Sequence, residues 1–223
     1  MCFFTFLKSL FRWGDVNLIS ENCRPFARVA QRFLGIQVEA TGLEYLETGR
    51  AIVYVMNHQS MLDIIHMGSF YPRNTVVIGK KELRFFPFLG MVLASTGNIF
   101  INRRKHSDSV AGLSRAVEEM RARGASVLIF PEGTRNRSLQ GLLPFKKGAF
   151  HMAIAAQVPV VAIVCEPLKK VFSKKEHRLG DCKVRLRILP PVETTGLTRA
   201  DVDPLLERVK EAMASTLREL ESE

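Results

Sequence analysis

Residues 51–63 read Ala51-Ile52-Val53-Tyr54-Val55-Met56 and then, without transition, Asn57-His58-Gln59-Ser60-Met61-Leu62-Asp63. A short apolar run rich in β-branched residues predicts a strand. It ends abruptly in polar residues, and a helical pattern over 60–70 begins just behind them. His58 therefore falls on a strand-to-helix turn, and open α/β sheets bind their ligands at the carboxyl ends of such strands.

Outward from this stretch, short β-branched runs alternate with helical patterns from residue 36 onward, which predicts an α/β domain with a mostly parallel central sheet flanked by helices. Strands are expected at 36–40, 51–56, 75–78, 98–102, 126–130, 159–164 and 183–189, and helices at 60–70, 107–122, 148–157 and 199–220. Pro204 lies near the start of the last helix, where a missing N–H costs nothing. There is no internal repeat, low-complexity tract or Gly/Ser linker. The chain divides into one α/β domain over 36–223 and an N-terminal appendage over 1–35.

The appendage is amphipathic. Wound as a helix, residues 3–13 put Phe3, Phe4, Phe6, Leu7, Leu10, Phe11 and Trp13 on one side and Thr5, Lys8, Ser9 and Arg12 on the other. A second helix is predicted over 23–34, with Arg24, Arg28 and Arg32 recurring every four residues, an apolar stripe of Phe26, Val29, Ala30, Phe33 and Leu34, and Gly35 as its stop. Aligned guanidinium groups suit anionic headgroups, each adding about 1 kcal/mol near such a surface. No apolar run is long enough to span a bilayer, and the interleaved basic residues do not fit a secretion signal. A pair of helices lying in a membrane interface is the expectation; docking on the domain is the plainer alternative.

The chain holds 223 residues, 47% of them hydrophobic, enough for a real core and unlike a disordered segment. Its 32 basic and 22 acidic residues give a net charge of +10, which favours anionic partners: nucleic acid, phosphorylated substrates or anionic lipid. A nucleic-acid-binding module has only this charge to support it, because no RNP-type motif, zinc finger or Gly-rich phosphate loop is present. Cys2, Cys23, Cys165 and Cys182 are scattered, with no Cys-x-x-Cys pair. That argues against a disulfide framework or a zinc site and for a reducing compartment. The histidines form no close ligand pair, so no metal is expected.

For His58 to act as a base, a carboxylate must take one ring N–H, fix the tautomer and stabilise the imidazolium. Asp63 is five residues on, a spacing that separates the two on a continuous helix. They meet only if His58 lies before the helix and folds back over its first turn. Read structurally, Ser60 to Asp63 is a capping box with Ser60 as N-cap and Asp63 as N3, and that role is compatible with orienting His58. Two further predicted strands run into arginines: 98–102 into Arg103, Arg104 and Lys105, and 126–130 into Pro131-Glu132-Gly133-Thr134-Arg135. Arginine forks match phosphate oxygens. Gly133 would let backbone N–H groups approach a reacting oxygen. Lys80, Lys81, Lys146 and Lys147 read as a solvated face. A serine hydrolase is not supported: Gly112-Leu-Ser-Arg-Ala116 lacks the final glycine and lies in a helical pattern.

Four blocks, Asn57-His58-x-Ser60-x-x-Asp63, Gly97-x-x-Phe100-Ile101-x-Arg103, Phe130-Pro131-Glu132-Gly133-Thr134-Arg135 and Val158-Pro159-Val160-Val161, together resemble the glycerolipid acyltransferases, most closely the bacterial 1-acylglycerol-3-phosphate acyltransferases. Order and spacing match over roughly 50–165; Ala162 stands where members commonly have a proline. The resemblance implies transfer of a fatty acyl group from acyl-CoA or acyl carrier protein, as co-substrate rather than cofactor, to the sn-2 hydroxyl of lysophosphatidic acid. Glycerol-3-phosphate or another lysophospholipid is the neighbouring possibility. It further implies His58 as base, Asp63 as its orienter, Arg103 and Arg135 on the acceptor phosphate, and Glu132, Gly133 and Thr134 completing the pocket. The expected location is the cytoplasmic face of the inner membrane, peripheral or monotopic. Leu83, Phe85, Phe86, Phe88 and Leu89 are candidates for the wall of an acyl-chain tunnel.

Overall fold

The computed structural model describes residues 2–60, 62–86, 89–102, 106–138, 140–167, 172–173, 178–179 and 182–222. Helices α1 (Cys2–Phe11) and α2 (Asn17–Leu34) precede a domain containing α3 (Asp63–Gly68), α4 (Leu89–Ser95), α5 (His106–Arg123), α6 (Gly148–Ala156) and α7 (Val202–Ser222). The strands are β1 (Ile36–Thr41), β2 (Val53–Met56), β3 (Thr75–Lys80), β4 (Ile99–Ile101), β5 (Ser126–Ile129), β6 (Val160–Cys165), β7 (Phe172–Ser173), β8 (Arg178–Leu179) and β9 (Cys182–Ile188). Seven of them form one sheet in the order β1-β9-β6-β2-β5-β3-β4. All pairings in it are parallel except β6 with β9.

Why the centre of this sheet is parallel can be read from β2. Val53 and Val55 belong to the apolar layer that includes α5, α6 and α7, while Ile52, Tyr54 and Met56 belong to the layer on the other face, with Met67 of α3 and Tyr71 behind it. Both faces of every central strand are covered: Val160, Ala162 and Val164 of β6 point one way, Val161, Ile163 and Cys165 the other. A strand buried on both sides reads as an unbroken apolar run, and parallel sheets are built from such strands. Full burial of each large side chain stabilises by about 1.5–3 kcal/mol, so these short strands hold their place through packing more than through length. Ala162, the departure from the family pattern, is itself a buried core residue.

Parallel pairing also sets the site. Because Met56 pairs with Ile163 and Val55 with Ile129, the chain leaves β2, β5 and β6 at one edge and at nearly one level.

Several expectations change. The helix after His58 begins at Asp63 rather than Ser60 and has only six residues. The forward half of the expected capping box is missing, since Ser60 Oγ accepts from Leu62 N–H at 3.2 Å; its return half forms, with Asp63 accepting from Ser60 N–H at 3.1 Å. A complete box occurs at Thr198–Asp201, ahead of α7. Helix α4 was not expected. Helix α2 starts six residues early and runs through Pro25; Ser20, Cys23 and Ala27 are buried on one face and Leu18 on the other, and this packing outweighs a single lost helical bond.

At the front end, Thr5 and Ser9 are buried where α1 packs on α4 and α2, whereas Lys8 and Arg12 of the same polar side remain exposed. Arg12 pairs with Asp15 at 2.5 Å and Glu21 at 2.8 Å, tying the turn between the two helices. Arg24 is consumed within the protein, donating to the Tyr71 carbonyl and pairing with Glu47; Arg28 and Arg32 stay outward. Leu7, Leu10, Phe11 and Trp13 face out, Phe11 at 91% and Trp13 at 70% exposure, as does Phe33 of α2 at 86%. Among the described residues no helix is long and apolar enough to cross a membrane.

Candidate active site

His58 is the second residue past β2, ahead of α3, so its ring does fold back over the first turn. Its Nδ1 lies 2.6 Å from Asp63 Oδ2. The same oxygen accepts the Gln59 and Ser60 N–H groups at 2.8 and 3.1 Å. The two backbone N–H groups favour the ionised carboxylate, and such an oxygen takes its third hydrogen bond from the tautomer with hydrogen on Nδ1, which leaves the Nε2 lone pair free. Asp63 is 1% exposed and the His58 side chain 21%, which leaves a buried carboxyl group behind a partly open imidazole.

What holds His58 comes mostly from the turn after β5. Phe130 stacks on the imidazole with centroids 4.0 Å apart and planes 23° from parallel. Glu132 Oε1 accepts the His58 N–H at 2.8 Å, and the Asn136 N–H donates to the His58 carbonyl at 2.7 Å. Both backbone groups of the histidine are thus fixed by one loop. Glu132 is buried and uses its second oxygen on the Leu143 N–H at 3.0 Å. Burial pushes its carboxyl above the usual carboxylate range, against the pull of those two N–H groups. The carboxylate expected to complete a substrate pocket is therefore turned inward as a strut beneath the histidine.

From the other flank, Asn57 locks β2 to β6: its side-chain N–H donates to the Cys165 carbonyl and its oxygen accepts the Cys165 N–H, both at 2.8 Å. Gln59 Nε2 donates to the carbonyls of Cys165 and Glu166, each at 3.0 Å. Burial raises the Cys165 thiol well above its ordinary range. Asn57 and Phe130 were quoted from the sequence only as members of the first and third blocks, with no role, and Asn136 was missed; the available signal was an amide or aromatic residue at each strand exit.

The remaining expected residues divide. Thr134 and Arg135 are exposed beside the histidine-holding loop. Gly133 adopts φ +68°, a conformation that favours glycine, and a Cβ there would lie 2.8 Å from Cε at the flexible end of Lys146. Lys146 is accordingly laid across the loop rather than simply facing solvent. Arg103, with Arg104 and Lys105, lies outside the described residues. Among the described residues no group of three His, Cys, Asp or Glu side chains is placed to hold a metal ion. Cys23 and Cys165 are buried.

A cleft of about 840 Å³ adjoins the same loop, its lining including Phe130, Gly133 and Lys146, apolar residues Ile101, Leu113 and Met152, and the basic His151 and Arg199. Burial, with the Arg199 and Lys147 charges, lowers the His151 pKa. The expected tunnel wall is elsewhere: Phe85 and Phe86 are exposed on the outer surface near Met91. Phe88 and the side chain of Leu89 lie outside the described residues.

Comparison with known proteins adds three findings. The acyltransferase family model matches residues 37–166. Human 1-acyl-sn-glycerol-3-phosphate acyltransferase alpha is 39% identical over 189 residues, 85% of this chain and 66% of its own; the Saccharomyces cerevisiae 1-acyl-sn-glycerol-3-phosphate acyltransferase is 34% identical over 198 residues, 88% of this chain and 65% of its own. The chain thus spans just under two thirds of the length of these relatives. The crystal structure of the 1-acyl-sn-glycerophosphate (LPA) acyltransferase PlsC from Thermotoga maritima superposes with a TM-score of 0.79 at 26% identity, covering 99% of this chain and 88% of that one.

Proposed function

The chain belongs to the acyltransferase family, and from that footing we propose that it moves a fatty acyl group from an acyl thioester to the sn-2 hydroxyl of 1-acylglycerol-3-phosphate, giving phosphatidic acid. The observation that carries the chemistry is the His58–Asp63 pair, with Nδ1 2.6 Å from the carboxylate and the His58 side chain still partly exposed. Nε2 takes the acceptor's hydroxyl proton as the oxygen attacks the thioester carbonyl. The tetrahedral intermediate collapses, the C–S bond breaks, and the thiolate leaves with the proton returned by the imidazolium. Asp63 stabilises that imidazolium without being protonated. No acyl-enzyme, metal or cofactor is called for.

Arg103 and Arg135 take the acceptor phosphate in this reading, with Gly133 and Thr134 beside them, and the apolar part of the cleft by Phe130 accommodates a fatty acyl chain. The donor is acyl-CoA or acyl carrier protein, either of which suits the basic surface. Phe11, Trp13 and Phe33, with Phe85 and Phe86, form the apolar parts of a surface by which the protein sits on a membrane, where both its lipid substrate and product reside.

The deciding experiment is an assay of the purified protein with one acyl donor and a panel of acceptors: lysophosphatidic acid, glycerol-3-phosphate and lysophospholipids with larger headgroups. Turnover is expected with lysophosphatidic acid foremost; preference for another acceptor reassigns the substrate, and transfer to none overturns the reading. For the membrane face, replacing Phe11, Trp13 and Phe33 by serine should release the protein from floated vesicles containing anionic lipid. Unchanged flotation would remove the front end from the membrane contact.

A further inference from the structure

Behind the dyad, three buried side-chain atoms have no hydrogen-bond partner: Asp63 Oδ1 and both ring nitrogens of His66. Asp63 is 1% exposed and His66 is 0% exposed. Both belong to α3, three residues apart, so their side chains project from the same side of one short helix toward the sheet. A buried carboxylate oxygen or imidazole left unpaired is costly, and native interiors satisfy such groups directly or through an ordered water.

Two carboxylates act on the charge of His66, those of Asp63 and Glu166. Glu166 is already engaged by Arg185: one oxygen accepts its backbone N–H at 2.7 Å, the other its side-chain Nε and Nη2 at 3.1 and 2.8 Å. Asp63 is the one with an oxygen left over. Burial lowers the His66 pKa despite both carboxylates, so near neutral pH the ring is uncharged and owns one N–H to give. The other titratable groups contributed by elements packed around α3 are Cys165 at the end of β6, Glu132 from the turn after β5, and Cys23 of α2, which faces Gly68. Glu132 has both oxygens engaged by backbone N–H groups.

We propose that His66 is a positioning residue for the His58–Asp63 pair, donating through one buried water to Asp63 Oδ1, so that the carboxylate is held at both oxygens while it orients His58. Hydrogen bonds to a carboxylate lower its basicity. With Oδ1 satisfied, Asp63 pulls less strongly on the His58 Nδ1 proton, and His58 releases the proton it has taken at a lower pH than it otherwise would. The inference concerns the ionisation of His58 and can be read without any substrate, so it fails separately from the acyl-transfer reading on which its importance rests.

The test is the titration of the His58 ring followed by NMR in the full chain, in the unmodified protein and in the His66→Leu and His66→Asn variants. In His66→Leu the His58 midpoint should rise by roughly one pH unit, the size set by losing one charged hydrogen bond. The acid limb of the kcat/KM profile should move with it. His66→Asn, whose amide can donate toward the same water, should restore most of the shift. An unmoved His58 midpoint in His66→Leu, or an asparagine variant that behaves like the leucine one, overturns the proposal. If His66→Leu does not fold, the unmodified protein still decides: a long-lived His66 ring N–H signal with a cross-peak to a bound water supports the relay, and its replacement by an imidazolium at neutral pH refutes it.

Discussion

The turn after β2 and the turn after β5 leave adjacent parallel strands side by side, yet their polar groups face in different directions. In the first, His58, Asp63 and the N–H groups of Gln59 and Ser60 face one another, with a single carboxylate oxygen at the centre. In the second, the ring of Phe130, the carboxylate of Glu132 and the N–H of Asn136 all face the first turn, gripping His58 by its ring, its N–H and its carbonyl. Thr134 and Arg135 of that turn are exposed, and Phe130 and Gly133 also line the adjoining cleft. One turn holds the histidine and its carboxylate partner; the other chiefly removes the histidine's freedom to move. A motif that looks like a run of substrate contacts is, residue by residue, mostly a clamp.

That division can be broken by substitution, beginning where the effect is largest. His58→Ala removes the base and should lower turnover by about two to four orders of magnitude with folding intact. Near-normal turnover would empty the first turn of its chemistry. Glu132→Ala touches no substrate in this account, yet it leaves two half-buried N–H groups without their acceptor. It should cost about 3 kcal/mol of stability and depress turnover through a loosened His58, with little change in acceptor KM. A selective rise in acceptor KM at full stability would instead make Glu132 a ligand contact. Its pH dependence follows from the direction of its shift. The folded state holds this proton to a higher pH than the unfolded chain does, so the group favours folding in acid and that contribution is lost as pH rises through the folded value. Because the alanine variant lacks this contribution, its stability deficit should be widest in acid and narrow toward neutrality, as urea titrations at several pH values would reveal. Arg135→Ala comes last. It should leave the melting temperature unchanged and raise the acceptor KM by about ten- to a hundredfold, the worth of one charged hydrogen bond to phosphate. An unaltered KM would deprive the second turn of its one ligand role.

The sheet was legible because burial on two faces leaves unmistakable apolar runs. Each of the seven predicted strands exists within about two residues of its expected bounds, including β2 beside the site. The dyad was legible too, since the geometric demand that His58 lie ahead of the helix is met. What could not be read is which way a side chain turns once the chain leaves a strand. Glu132 in a Pro-Glu-Gly sequence looks the same whether it faces a ligand or a backbone N–H. The start of α3 was misplaced for a related reason: the Asp63 carboxylate serves the His58 ring and two N–H groups ahead of the helix, so the turn coils around that oxygen before helical geometry begins. Thr5 and Ser9 misled in the opposite sense, because small polar residues allow close helix packing, and periodicity does not distinguish such a seam from a wet face.

Asn57 has a mechanical consequence of its own. Its amide meets the N–H and the carbonyl of Cys165 just beyond the last backbone pairing of β2 with β6, so a side chain supplies one more rung where the main chain has already turned away. A rung of that kind cannot fray independently of the strands it joins. The Cys165 amide should accordingly resist deuterium as stubbornly as the centre of the sheet, opening only when the whole domain does, and the reactive end of β2 is anchored to the most stable part of the molecule rather than to its mobile rim.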